Sequence, residues 1–114
     1  MGEVLKPVTW LGDSRQRVRL FPPLARRDVG WNLKFVQAGL DPEDWKPMST
    51  VGPGVKELRV HAEGEHRVLY VAKFESAIYV LHAFAKRTRK TSGAAISLAK
   101  ARYREVLRRE GPKR

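Results

Sequence analysis

Two consecutive apolar segments constrain the fold of this chain more than any other feature. Residues 67–74 and 77–84 are apolar at nearly every position, and only Glu75 and Ser76 separate them. A link this short favours an antiparallel hairpin. Strands without a polar face are typical of the centre of a sheet. The sequence therefore predicts a central hairpin, with residues 55–60 as a further strand joined to it by a turn near Gly64.

Helical spacing predicts two helices before these strands. After a short strand over residues 8–11, we expect a helix over residues 15–21 and a second helix that Pro23 opens and Gly39 ends. Apolar residues of the second helix recur at spacings of three and four, as on one packed face. These are Ala25, Val29, Leu33, Val36 and Leu40. Two aromatic residues of the same helix, Trp31 and Phe35, are also expected in the core.

The remaining segments predict a loop and a last helix. Residues 41–54 contain three prolines and two glycines and read as one long loop. Thr91 and Ser92 can cap a final helix, in which Ile96, Ala99, Tyr103 and Val106 form an apolar stripe. The expected fold is a single α+β domain over residues 1–114, in the order β-α-α-β-β-β with a C-terminal helix. Its helices are expected on one face of an antiparallel sheet.

The charge of the chain is concentrated at one end. Lysine and arginine number 23 against 12 acidic residues, a net charge of +11. Residues 1–85 hold twelve basic and ten acidic groups, whereas residues 86–114 hold eleven basic and two. A nearly neutral body with a cationic tail indicates a polyanionic partner. Charge alone supplies affinity for phosphate and does not specify an activity.

Several functional classes are excluded by what the sequence lacks. Without cysteine, there can be no disulfide, thiolate-ligated metal or thiol catalysis. His61, His66 and His82 do not form a metal-ligand pattern, and no glycine-rich phosphate loop is present. We therefore expect neither a metal nor a cofactor. No apolar run reaches the ~20 residues of a membrane span and no signal-peptide core is present, so we expect a cytoplasmic protein without a membrane partner.

Two arginines are the first candidates for a functional site. Arg59 ends one predicted strand and Arg67 begins the next, so a turn near Gly64 brings them face to face. Like charges in that position are unfavourable unless an anion lies between them, and an RNA phosphate would serve. The alternative is that both arginines face solvent or pair with a nearby glutamate. The candidate glutamates are Glu57, Glu63 and Glu65.

The end of the last strand supplies further candidates. His82 could transfer a proton near neutral pH, although a histidine in a strand can equally be a core residue. Lys86 follows directly after the strand. The catalytic candidates are Arg59, Arg67, His82 and Lys86. The RNA-binding candidates are Lys56, Arg87, Arg89 and Lys90. Arginine binds phosphate through two parallel hydrogen bonds, which suits the second group to an RNA backbone.

Several short motifs, in order and at matching spacing, resemble a known family. The motifs are Phe21-Pro22, Gly39, Lys46-Pro47-Met48, Gly54 to Arg59, Arg67 to Tyr70 and Leu81 to Thr88. Together they resemble the phage-derived, HigB-like branch of the RelE/ParE toxin superfamily. By position, Arg59 and Arg67 match strand arginines of that family, and Lys86-Arg87 matches its basic pair. His82 matches a position often occupied by histidine.

The resemblance implies a RelE-like fold with two helices packed on an antiparallel sheet. It also implies the toxin of a type II toxin–antitoxin pair, which cleaves mRNA on the ribosome without a metal. A neighbouring gene would encode the antitoxin, expected to be a helix-turn-helix protein. Two departures concern the catalytic group. The tyrosine or histidine that studied toxins use near their C-terminus has no clear counterpart here, and Ser92 replaces a frequent proline.

Metal-free cleavage needs a base for the ribose 2′-hydroxyl, cations for the phosphoryl oxygens and an acid for the leaving oxygen. Arginine is always protonated, so Arg59 and Arg67 are expected to stabilise charge, whereas His82 or Lys86 would move the proton. Two other functions remain open. A non-catalytic RNA-binding module would share the basic surface, and a ParE-like protein would inhibit DNA gyrase instead.

Overall fold

The computed structural model describes residues 5–112 and confirms the α+β fold. Three helices accompany one five-stranded mixed sheet, an arrangement compatible with a RelE-like fold. In chain order the elements are β1 (Val8–Trp10), α1 (Ser14–Arg19), α2 (Pro23–Gln37), β2 (Trp45–Pro47), β3 (Val55–Val60), β4 (His66–Val71), β5 (Ile78–Ala85) and α3 (Gly93–Glu110). None of the helices within residues 5–112 is long and apolar enough to cross a membrane.

The strands lie in the order β1-β5-β4-β3-β2. The predicted antiparallel arrangement is confirmed for β3 to β5, and β2 joins β3 as a further antiparallel strand. β1 adds a parallel edge beside β5. The prediction of a continuous loop over residues 41–54 was wrong, since this segment contains β2. Trp45 pairs with Leu58 and Pro47 with Lys56. Proline lacks an N–H group and is tolerated at a sheet edge, so Pro47 does not prevent this pairing.

Helices cover both faces of the sheet, and the expectation of helices on one face was wrong. The first core joins α1 and α2 to residues such as Leu58, Val68 and Val80. The second core joins Ala99, Tyr103 and Val106 of α3 to the opposite face. The strands β4 and β5 carry buried residues on both faces, so each face needs its own cover. The physical reason is already visible in their nearly uniform apolar sequence.

Two expected core positions are exposed in the structure. Trp31 is 55% exposed and Leu40 is 61% exposed. The stripe of α2 that faces the sheet runs through Ala25, Val29 and Val36, and with about 3.6 residues per turn Trp31 lies on the opposite side of the helix. There its ring packs edge-on against Phe35, with the two centroids 5.2 Å apart. The cap of α3 is confirmed, because the Ser92 hydroxyl accepts a hydrogen bond from the backbone N–H of Ala95.

An irregularity in β5 positions the candidate site. Tyr70 pairs with Val80 but Leu69 pairs with His82, so Leu81 is an extra residue in the ladder. Such a bulge shifts the register of everything beyond it. Arg67 therefore lies opposite Phe84, and the backbone N–H of Lys86 donates to the carbonyl of Glu65 at 2.8 Å. The end of β5 and the start of β4 are thus held together, with Lys86 beside them.

Candidate nucleic-acid interface

The hairpin of β3 and β4 brings the two candidate arginines together, as the sequence predicted. Arg59 and Arg67 are direct partners in the β3–β4 register. The turn between the strands contains Glu63 and Gly64, which have φ values of 52° and 104°. Positive φ is a glycine-like conformation, and the turn that needs it is what makes the two strands antiparallel neighbours. Arg59 shares its face of β3 with Val55, and Arg67 shares its face of β4 with Leu69, so both side chains lie on the sheet face that α3 covers.

A carboxylate occupies the space between the arginines. Glu57 lies two residues before Arg59 on the same face of β3 and is fully buried. Its Oε1 is 3.4 Å from Nε of Arg59, 3.7 Å from Nε of Arg67 and 3.9 Å from Nζ of Lys46. Its Oε2 accepts a hydrogen bond from the Thr91 hydroxyl at 3.2 Å. The alternative pairing with a nearby glutamate is therefore observed, and Glu57 is the anion that allows the two arginines to face each other.

The two arginines differ in how much of their surface remains available. The side chain of Arg67 is 7% exposed, and its Nη1 donates to Oε1 of Glu65 at 2.9 Å and to the carbonyl of His66 at 3.0 Å. The side chain of Arg59 is 31% exposed. The Nε of each arginine is buried without a hydrogen bond of its own. Arg67 is thus held in place from several sides, whereas Arg59 offers more of its guanidinium to a ligand.

An open groove of about 400 Å³ runs beside these residues. Its lining consists of Arg59, Arg67, Glu65 and residues 86–89, and we refer to it as the cationic groove. Lys86 is one of the cationic residues of this lining. Burial lowers the pKa of Lys86, and the charges of Arg67, Lys46 and Arg59 lower it further, although Glu57 opposes them. A lysine with a lowered pKa is neutral more often at physiological pH and can accept a proton.

The structure does not bring His82 to the cationic groove. The ring of His82 is 4% exposed and packs near Phe84, with the centroids 5.4 Å apart. Burial, together with the charges of Arg102 and Arg17, lowers the pKa of His82 to about 4. Arg17 belongs to α1 and Arg102 to α3, so the buried imidazole lies towards these two helices. It is placed as a core histidine, the second interpretation left open by the sequence.

The RNA-binding candidates are divided between the two faces of the sheet. Arg87 and Arg89 line the cationic groove, and Lys90 lines a smaller cavity next to it, where α3 begins. Lys56 lies on the other face. Its Nζ is 2.7 Å from Oδ1 of Asp41 and lies over the ring of Trp45, 4.3 Å from the centroid. Lys56 therefore does not join the cations of the groove.

Sequence reasoning missed Lys46 and Thr91 as residues of this site, and it named Glu57 only as one of three glutamates that could pair with the arginines. For Glu57 the signal was present, because residues two apart in a strand share a face and Arg59 was already a candidate. Lys46 is the direct partner of Glu57 across β2 and β3, but segment 41–54 was expected to be a loop. Thr91 was noted only as a helix cap. Its hydroxyl instead holds Glu57, and Ser92 caps α3.

The arrangement is suited to holding a phosphodiester. The buried Glu57 has three cationic side chains within 4 Å, those of Lys46, Arg59 and Arg67. Glu65 lines the groove together with Lys86, Arg87 and Arg89. Guanidinium groups held by a buried carboxylate keep their orientation without a ligand, so a phosphate meets donors that are already in position. Within residues 5–112, no group of three or more histidine, aspartate and glutamate side chains is arranged to hold a metal ion.

Comparison with known proteins identifies the family of the chain. The family model described as Phage derived protein Gp49-like (DUF891) matches residues 16–104, well over half of the sequence. A search of the curated proteins found no match. The matched segment begins in α1 and ends in α3, so it includes the whole β2–β5 sheet and the cationic groove. The chain therefore belongs to the phage-derived Gp49-like family, which is a RelE/toxin-like family.

Proposed function

We propose that this protein is the HigB-like toxin of a type II toxin–antitoxin pair and that it cleaves mRNA on the ribosome without a metal. One observation carries the proposal: Arg59, Arg67 and Lys86 converge on one open groove, around a carboxylate that keeps the cations oriented. The family is consistent with this function. The antitoxin, expected to be a helix-turn-helix protein, would inhibit by covering the groove with acidic groups.

In the proposed reaction, the ribose 2′-oxygen attacks the adjacent phosphorus and forms a 2′,3′-cyclic phosphate. Neutral Lys86 accepts the proton of the 2′-hydroxyl. Arg59 and Arg67 stabilise the additional negative charge on the phosphoryl oxygens. The bond between phosphorus and the 5′-oxygen breaks, and the departing oxygen takes a proton from solvent water. His82 has no part in this sequence, because it is buried away from the groove.

The groove contains few groups that can catalyse the reaction, and this supports a role for the ribosome. The groove supplies several fixed cations and one lysine, Lys86, whose pKa is lowered by burial. Positioning of reacting groups alone can contribute about 7–11 kcal/mol to lowering a barrier. A ribosome that holds the mRNA across the groove would supply that contribution. We therefore expect cleavage of ribosome-bound mRNA and much slower cleavage of the same RNA when free.

The test uses purified protein, ribosomes and a programmed mRNA whose cut ends are mapped by primer extension. Arg59→Ala is expected to lower the cleavage rate by about 10²-fold or more, because one preorganised cation is lost. Arg15→Ala removes the same charge from an exposed position on α1 and is expected to cut at the wild-type rate. Equal cutting by Arg59→Ala and Arg15→Ala would remove the arginine pair from the mechanism.

A second candidate function, non-catalytic RNA binding, is favoured by the pairing of Arg67. Its guanidinium is already engaged by Glu57, Glu65 and the carbonyl of His66. A phosphate would have to displace or share these contacts. This function predicts RNA binding that weakens steeply with salt and no cut ends in the ribosome assay. The wild-type protein in that assay therefore distinguishes the two functions directly.

A further inference from the structure

His61, which follows directly after β3, contacts two carboxylates through its two ring nitrogens. Its Nε2 lies 2.6 Å from Oδ2 of Asp44, and its Nδ1 lies 2.9 and 2.8 Å from Oε1 and Oε2 of Glu65. The ring thus joins the segment that leads into β2 with the segment that leads into β4. The three side chains are each about half exposed. We refer to them as the carboxylate bridge.

The geometry of the carboxylate bridge requires a protonated imidazole. An ionised carboxylate offers only acceptors, and a neutral imidazole has a single N–H group, so one of the two carboxylates would face a ring lone pair. The imidazolium donates from both nitrogens and satisfies both carboxylates. In agreement with this geometry, the hydrogen bonds with Asp44 and Glu65 raise the pKa of His61 above 6.5, although burial opposes them. The bridge is therefore complete at neutral pH and below, and it is lost as the pH rises through that raised pKa.

Glu65 connects the carboxylate bridge to the cationic groove. Its side chain lines the groove, and its Oε1 also accepts a hydrogen bond from Nη1 of Arg67 at 2.9 Å. Its backbone carbonyl accepts a hydrogen bond from the N–H of Lys86 at 2.8 Å. Glu65 thus contacts the two residues to which the proposed reaction assigns the phosphate and the proton.

His61 limits how much of the Arg67 guanidinium the Glu65 carboxylate occupies. A carboxylate and a guanidinium that pair freely are frequently joined by two parallel hydrogen bonds. Here both oxygens of Glu65 are engaged by the His61 ring, and Oε1 is the oxygen that also contacts Arg67. Without the imidazolium, Arg67 would balance the charge of Glu65, and a second hydrogen bond between them would take a donor that a phosphate needs.

We propose that His61 is a positioning residue, which holds Glu65 away from the remaining donors of Arg67 and so keeps the cationic groove able to bind an RNA phosphate. Within residues 5–112, the charged groups that face its ring are Asp44 and Glu65, and Arg67 lies beyond Glu65. RNA affinity therefore falls as the pH rises and His61 loses its proton. This inference rests on the proposed function, because it takes from that function the phosphate in the groove.

The first measurement is an NMR titration of the His61 ring, and a pKa at or below 6.5 would overturn the inference. RNA binding is then measured by fluorescence anisotropy with 2′-O-methyl hexauridylate, whose blocked 2′-oxygens prevent the proposed cleavage. About two pH units below the measured pKa, wild-type protein should bind about threefold more tightly than His61→Gln, as for the loss of one exposed ion pair. About two pH units above it, the two affinities should be equal. Because both proteins contain Lys86, its titration cancels in the ratio.

Three further variants separate positioning from a general effect of charge. His61→Lys keeps the positive charge and should retain its advantage over His61→Gln at both pH values. In the Glu65→Gln background, His61→Gln should change the affinity by less than about 1.5-fold, because the residue through which His61 acts is already altered. Arg27→Gln removes one positive charge from an exposed position on α2, over the other face of the sheet, and should bind as wild type does. An equal loss in Arg27→Gln and His61→Gln, or a full loss from His61→Gln in the Glu65→Gln background, would contradict the positioning role.

The ribosome assay separates this inference from the proposed function. If wild-type protein binds the hexanucleotide with the expected dependence on His61 but leaves mRNA uncut, the nuclease function fails and the positioning role stands. If it cuts mRNA but His61→Gln binds as tightly as wild type at the lower pH, the positioning role fails and the nuclease function stands. A wild-type protein that does not bind the hexanucleotide would overturn the positioning role, whatever the ribosome assay shows.

Discussion

The second half of β5 and the position just after it carry the two candidates for proton transfer, and the surroundings of these two side chains differ. His82, within the strand, is only 4% exposed, and burial is the first cause that lowers its pKa to about 4. Lys86, just past the strand end, lines an open groove beside Arg59 and Arg67. Burial and neighbouring cations lower its pKa as well. Three residues of strand therefore separate a buried group stabilised in its neutral form from a group that a substrate can reach.

The difference shows why residue type is a poor guide to role. Histidine is the usual choice for acid–base chemistry near neutral pH, and lysine is usually a simple cation. Here the environments reverse these expectations. The enclosed histidine is out of reach of a ligand in the groove, whereas the lysine is accessible and its pKa is shifted towards neutrality. Four experiments test this contrast, and they follow from the largest expected effect to the smallest.

Removal of Lys86, compared with removal of His82, should give the largest effect. Lys86→Ala is expected to lower the rate of ribosome-dependent mRNA cleavage by about 10²–10⁴-fold, because the proposed proton acceptor is lost. The wild-type rate should rise with pH as Lys86 deprotonates, and this rise should vanish in the variant. His82→Leu should cut at a rate close to wild type once it is folded. A larger loss in His82→Leu than in Lys86→Ala would reverse the comparison.

Removal of the buried carboxylate should destabilise the groove end of the sheet. Glu57→Gln leaves Arg59, Arg67 and Lys46 facing one another without their counter-charge. Breaking a buried ion pair from one side costs about 3–5 kcal/mol, and we expect a loss of that order in the free energy of unfolding, measured by urea denaturation. Glu43→Gln, at an exposed position in the same part of the chain, should stay within about 0.5 kcal/mol of wild type. Similar stabilities of both variants would show that Glu57 does not organise the cations.

The buried histidine should appear in the pH dependence of stability. The pKa of His82 is about 4 in the folded state against 6.5 for the free side chain, so the unfolded chain binds this proton first as the pH falls. Above pH 6.5, His82 is neutral in both the folded and the unfolded state and does not lower the free energy of unfolding. As the pH falls from 6.5 to 4, the free energy of unfolding decreases by about 3 kcal/mol because of this histidine. His66 acts in the same direction and His61 in the opposite one, so the difference between wild type and His82→Leu isolates the contribution. Parallel curves for the two proteins would place His82 in a more open environment.

The smallest effect should separate the two faces of the sheet. Arg89 lines the cationic groove, whereas Lys56 is paired with Asp41 on the other face. In RNA binding measured over a range of salt concentrations, Arg89→Ala should reduce the slope of log affinity against log salt by about 1. Lys56→Ala should change that slope much less. Equal changes would mean that RNA contacts both faces.

Much of the fold followed from local patterns. The bounds of β3, the opening of α2 by Pro23 and the cap of α3 by Ser92 were all predicted, because each depends on residues within one or two turns. Two features were not predicted, namely the strand β2 and the pairing of β1. The three residues of β2 read as loop beside Pro47, and they form a strand only because β3 offers an edge. The parallel pairing of β1 with β5 joins segments about 70 residues apart, and no local pattern reports it.

Like the fold, the candidate site was predicted where local patterns determine it. Strand alternation and one turn were enough to bring Arg59 to Arg67, since a tight hairpin determines which residues face each other. Strand alternation and turn position did not predict where His82 lies. The extra residue Leu81 shifts the register between β4 and β5, and α3 then closes over that part of the strand. A one-residue irregularity of this kind depends on packing between strands rather than on the sequence of either one.

By itself, then, the amino-acid sequence determined that this chain builds a central apolar hairpin, pairs two arginines across a turn and carries its excess positive charge after the last strand. These features are local or compositional, and short-range sterics and charge are sufficient for them. Only the tertiary structure decided that Glu57 lies between the arginines, that Lys86 reaches the groove while His82 does not, and that helices cover both faces. Each of these features depends on packing contacts between segments of the chain, and such contacts form only when the whole chain folds and excludes water from its core.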